Sequence, residues 1–124
     1  MSWWEWVLVG CAGAVGAPLR YLVEVVVSDR FGSRFPSGTL AVNVSGSFVL
    51  GLLSGLAIYH GLPGPPKLIL GTGLVGAYTT FSAFSFETVT LFEQGHRRVA
   101  TRYVVTSVLT GAAAAAAGLA LAAR

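Results

Sequence analysis

The chain has 124 residues, of which 54% are hydrophobic and only 10% charged, with a mean hydropathy of +0.72; soluble domains carry nearer a quarter charged residues, so this is the composition of an integral membrane protein. The formal charge of +3 comes from basic residues scattered over loops and helix ends without patch or stripe, which excludes a nucleic-acid-binding surface. The single cysteine, Cys11, excludes a disulfide framework.

The first apolar run, residues 3–27, opens with Trp3, Trp4 and Trp6 and no preceding basic residue, so it reads as a retained span anchored at the membrane interface rather than a signal peptide. Gly10, Gly13, Gly16 and Ala17 recur at helical spacing and let another helix come close, and Pro18 can kink the helix beyond it. Cys11 reads as a small core residue. Arg20 and Glu24, at i and i+4, read as a snorkelling ion pair or as functional groups near the end of the span.

A loop with Asp29, Arg30 and Arg34 leads to the second run, residues 38–59. Thr39, Asn43 and Ser47 sit at i, i+4 and i+8 and are continued by Gly51 and Gly55, so polar groups and small residues share a stripe that faces protein or water. Asn43 either glues two helices together or helps to wall a conduit, and three polar positions in a row lean towards the conduit. The turn at residues 61–66, G-L-P-G-P-P, is predicted to stop the helix, with Lys67 leading into the third run, residues 68–92.

Inside that run lies G-A-Y-T-T-F-S-A-F-S-F-E, residues 76–87, in which hydroxyls, phenylalanines and a carboxylate interrupt apolar sequence. A glycine followed by two adjacent threonines weakens helix there, because glycine is entropically costly and threonine stiff. A break is predicted in the third helix, in mid-membrane. Irregular backbone is tolerated at that depth only where it is buried in protein or lines a wet cavity, so the break is a candidate ion site.

The fourth run, residues 99–123, places Tyr103, Ser107 and Gly111 on one face, and its alanine tract favours close packing. Ser107 either bonds its own helix or offers its hydroxyl outward. His60 and His96 read as ordinary residues of the membrane edge.

These readings give an all-α integral membrane protein of four spans with both termini on one side and loops too short for a further domain. The residues contain no nucleophile beside a base, no paired carboxylates and no phosphate loop, so an enzyme is not expected. Four thin helices without an internal inverted repeat leave little room to enclose a path, which predicts a dimer. Lys67 and Arg124 lie on the side of the termini, against Arg20, Arg30, Arg34, Arg97, Arg98 and Arg102 on the other, a bias of two to six that taken alone favours termini outside.

Three blocks, G-A-V-G-A-P-L-R-Y (13–21), P-S-G-T-L-A-V-N-V-S-G-S-F (36–48) and residues 76–87, resemble the signatures of the Fluc (CrcB-type) fluoride channels. Length and four-span layout match as well. The resemblance implies an antiparallel, dual-topology homodimer in the inner (plasma) membrane, with two fluoride pathways and a structural sodium ion at the dimer centre. It implies that Phe81 and Phe84 line the pathways, that Asn43 donates to fluoride, and that the backbone carbonyls of Gly76 and Thr79 hold the sodium. Where that family usually has a threonine between the two phenylalanines, this chain has Ala83.

Fluoride is small and strongly hydrated, so a pore must replace its water with hydrogen-bond donors, which Asn43, Thr80, Ser82, Tyr103 and Ser107 can supply. The positive edges of the Phe81 and Phe84 rings attract an anion without holding it as a fixed cation would. Packed core is the alternative for both rings. Two other functions compete: a proton-coupled exporter similar to the small multidrug transporters, which needs a mid-membrane glutamate in the first helix, and a non-transporting assembly subunit.

Overall fold

Four stretches of the chain, seen in a computed structural model, are helical, long and apolar enough to cross a membrane: Trp3–Phe31, Ser37–His60, Gly64–Glu93 and Arg97–Ala122. The structure describes residues 2–32 and 34–124. The first two are the helices α1 (Trp3–Phe31) and α2 (Ser37–His60). The third stretch is composite, made of α3 (Gly64–Leu68), a π-helical segment (Ile69–Val75), α4 (Gly76–Tyr78) and α5 (Phe81–Glu93). Between α4 and α5, Thr79 (ψ 160°) and Thr80 (φ −149°, ψ 117°) are extended. The last helix is α6 (Arg97–Ala122).

Helix ends differ from the sequence reading in instructive ways. α1 does not stop near Val27 but runs to Phe31, because Val27 to Arg30 contains no helix breaker; it ends at Gly32, whose φ of 81° suits glycine and whose N–H bonds the Ser28 carbonyl. The prolines expected to keep the helix from starting before residue 68 instead begin it: Pro65 and Pro66 lie in the first turn of α3, where a missing N–H has no helical carbonyl to lose. α6 starts at Arg97, two residues before the expected Val99. The Nε2 of His60 lies 2.7 Å from the Ala122 carbonyl, so the C-terminal ends of α2 and α6 are tied together.

Packing follows the small residues. A Cβ added to Gly51 would collide with the Ala115 backbone, and one added to Gly118 with the Phe48 carbonyl, so α2 and α6 meet backbone to backbone. α1 lies as close to the π-helical segment: a side chain at Gly16 would strike the Leu74 carbonyl, and one at Gly73 would meet Val9 and Ala12. In lipid there is no hydrophobic drive between helices, so such close approach and the dispersion it allows hold them together. A small cluster of Leu91, Ala100 and the fully buried Tyr103 ties α5 to α6, with Phe35, Leu40, Phe84 and Val99 packed against it. Cys11, read from sequence as core, is exposed, because the face of α1 that meets the π-helical segment is the one carrying Ala12, Gly13 and Gly16.

Gly118→Ala is expected to destabilise the detergent-solubilised protein by about 1–3 kcal/mol through overpacking against α2, read as a shifted midpoint in reversible denaturant titration. Gly10→Ala, where an added Cβ meets nothing within 4 Å, leaves the midpoint in place.

Candidate functional site

The two extended threonines would leave backbone groups unpaired inside an apolar stretch, and one side chain of α2 pairs both groups of Thr80. Asn43 Nδ2 donates to the Thr80 carbonyl at 2.9 Å and Asn43 Oδ1 accepts from the Thr80 N–H at 2.8 Å. A second cap sits beside it: Thr80 Oγ1 accepts from the Ala83 N–H at 3.0 Å and starts α5.

In an uninterrupted helix the Thr80 N–H would bond the Gly76 carbonyl and the Ala83 N–H the Thr79 carbonyl. Both donors are engaged elsewhere, so the Gly76 and Thr79 carbonyls lose their helical partners. The methyl of Thr79 packs where a side chain at Gly46 would stand, and its hydroxyl donates to the Val75 carbonyl at 3.0 Å. Carbonyl oxygens without N–H partners are the kind of hard donor that suits a small cation such as sodium.

Beside this extended pair is an open cavity of about 350 Å³, lined among others by Asn43, Ser47, Thr80, Phe81, Phe84 and Ser107. Phe81 is 79% exposed, and its ring centroid lies 5.9 Å from that of Phe84. Phe84 leans in turn on Tyr103, centroid to centroid 5.1 Å. The hydroxyls of Tyr103 and Ser107 are buried and have no partner among the described residues. The structure thus brings Asn43, Thr80, Phe81, Phe84 and Ser107 to one cavity, with the tilted ring of Tyr103 against Phe84.

Ser82 is set apart from that group. It lies 3.2 Å from the Thr80 hydroxyl and lines a different cavity with Arg20, Glu24, Ala83 and Phe86. At Ala83 only the backbone takes part, through the cap on Thr80.

Two contacts were missed from sequence. Thr39 donates to Glu87 Oε1 at 2.6 Å, inside a cavity of about 370 Å³ that also includes Glu24, Arg34 and Ala83. A carboxylate within an apolar span has to find a donor, and the polar row of α2 was the place to look. The second is a hydroxyl pair, Ser45 with Tyr78, 2.9 Å apart.

The family described as CrcB-like protein, Camphor Resistance (CrcB), matches residues 7–119. The chain belongs to the CrcB family. Relatives include the fluoride-specific ion channel FluC 2 of Nitrobacter hamburgensis, 42% identical over 118 residues, covering 94% of this chain and 95% of that protein. FluC 2 of Moorella thermoacetica is 48% identical over 107 residues, 86% of each chain. FluC of Rhizobium meliloti is 47% identical over 116 residues, 92% of each. These relatives are ion channels by name and not enzymes. With four helices able to span a bilayer, this CrcB chain is a multi-pass protein of the cell membrane.

Asn43→Ala in this CrcB protein would leave the Thr80 N–H and carbonyl unpaired at once. The expected loss is about 1–3 kcal/mol of stability, with faster hydrogen exchange at Thr80 and Phe81. Unchanged exchange there would show that the amide does not hold the extended pair.

Proposed function

We propose that two antiparallel copies of the chain form a fluoride-selective channel that exports fluoride passively, with two pathways per dimer and a structural sodium ion at its centre, held by the Gly76 and Thr79 carbonyls across a break in the middle of the membrane. The observation that carries this reading is the open cavity in which the Ser107 hydroxyl, a donor without a partner among the described residues, stands beside two phenylalanine rings. The names of the relatives supply the ion.

An anion stripped of water needs donors at each step. Ser107 and Tyr103 have unspent hydroxyls, and Asn43 keeps a second amide hydrogen after serving Thr80. Thr80 lines this cavity and Ser82 does not, so when Ser82 donates across their shared hydrogen bond the Thr80 hydroxyl proton is left for an ion. The edges of Phe81 and Phe84 bear partial positive charge, enough to attract fluoride and too little to retain it. Among the described residues no carboxylate lines this cavity, which favours passive flow over proton-coupled exchange. The cavity is open on one side and Phe81 is largely uncovered, and a second copy is what would close the wall. A bound sodium would supply a positive charge against which the carbonyl dipoles of Gly76 and Thr79 are stabilised.

In liposomes, Phe81→Ile and Phe84→Ile keep bulk and apolarity but lose the ring quadrupole, so fluoride efflux is expected to fall at least tenfold, equivalent to about 1.4 kcal/mol, while the dimer still purifies as one species. Phe86→Ile, whose ring lies at the cavity with Glu87, serves as the control. Normal efflux from well-folded Phe81→Ile and Phe84→Ile proteins would return both rings to a packing role.

Antiparallel assembly is checked separately in intact cells, with a cysteine appended after Arg124. Because Cys11 is exposed, the experiment needs a Cys11→Ala background. An impermeant thiol reagent is expected to label a comparable share of chains from each side, and labelling of all chains or of none rejects dual topology.

A further inference from the structure

Three consecutive residues at the end of α4 grip α2 in three ways: Tyr78 through Ser45, Thr79 through the space above Gly46, and Thr80 through Asn43. The first grip has a direction. Ser45 has a single hydroxyl proton, and its oxygen lies 2.7 Å from the Ala41 carbonyl and 3.1 Å from the Val42 carbonyl, both of which only accept. Ser45 therefore donates to its own helix, and across the 2.9 Å contact it is Tyr78 that donates to Ser45.

The surroundings of this pair are apolar: the groove at Ser45 and Tyr78 is otherwise walled by residues such as Leu19, Val23, Val49 and Leu74. A phenylalanine would fill that space equally well. What the phenol adds is a fixed distance between α2 and the last helical residue before the extended pair, on the side of the break opposite Asn43. The Gly76 and Thr79 carbonyls lie two residues before Tyr78 and one after it, so any roll of this short turn would swing both of them.

We propose that Tyr78, anchored on Ser45, is a positioning residue that holds the Gly76 and Thr79 carbonyls in the orientation that binds a small cation; this rests on the sodium reading above. The side chain need not touch the ion. Its hydroxyl sets the roll of the turn carrying Gly76, while Asn43 sets the far end of the break, and the two contacts together fix the direction of each carbonyl.

The test uses the purified full-length protein, with sodium replaced stepwise by choline at constant ionic strength, in the unmodified chain, Tyr78→Phe, Ser45→Ala and the double variant. Two quantities are followed, thermal stability of the assembly and fluoride efflux from liposomes. The expected result is that the sodium concentration giving half-maximal stabilisation rises at least threefold in either single variant and no further in the double variant, with efflux displaced to the same higher sodium range. Ser45→Ala reaches the contact from the other helix, so poor folding of one variant leaves the other to decide. Equal loss of stability at every sodium concentration, without a shift of the half-point, reduces the pair to packing and overturns the proposal, as does no change at all. Sodium-independent stability of the unmodified chain is a different outcome, which removes the sodium reading and this proposal with it.

Discussion

One amide side chain makes the extended pair at Thr79 and Thr80 affordable. A buried amide is costly in an apolar span unless its donor and acceptor are used, and an unpaired peptide edge is costly for the same reason. Asn43 and Thr80 cancel each other's deficit, carbonyl to N–H and amide to carbonyl. That exchange frees the Gly76 carbonyl, while the Thr80 hydroxyl, by capping the Ala83 N–H, frees the Thr79 carbonyl and starts α5 at Phe81.

α2 is the post around which the rest is hung. Through Asn43, Ser45 and Gly46 it holds the break, and further along it meets α6 at Gly51 and Gly118 with backbone against backbone. Because Thr39 also reaches Glu87, the same helix serves the region of Thr80 and the cavity that includes Arg34. A polar stripe and a small-residue stripe on one helix thus do separate jobs: the first holds irregular backbone, the second lets helices without hydrophobic drive come within dispersion range.

Much of this was legible beforehand, for reasons that differ by residue. The spans could be read because roughly 20 apolar residues have no other use than crossing a bilayer, and the row of Thr39, Asn43 and Ser47 because amides and hydroxyls do not face lipid. The non-helical pair falls within residues 76–87, where a glycine and adjacent threonines oppose helix. What each polar group touches was hidden, since the targets of Asn43 are backbone atoms that exist as free groups only once the helix is interrupted. Ser82 looked like one more member of the polar row and faces a different cavity, because in α5 it stands one residue, about 100°, round from Phe81. Cys11 was misread for a related reason: a span that is apolar all round carries no stripe to mark its inner face.

The π-helical segment Ile69–Val75 governs how the chain tolerates changes in length. Its hydrogen bonds reach five residues back instead of four, so each ring holds one residue more than an α-helical ring. Removing one residue here leaves a plain α-helix whose flanks need not move, whereas one removed after Gly76 would turn Tyr78 away from Ser45 by about 100°. The segment is in effect an insertion already absorbed, and it sets the rotational phase with which the chain arrives at the break.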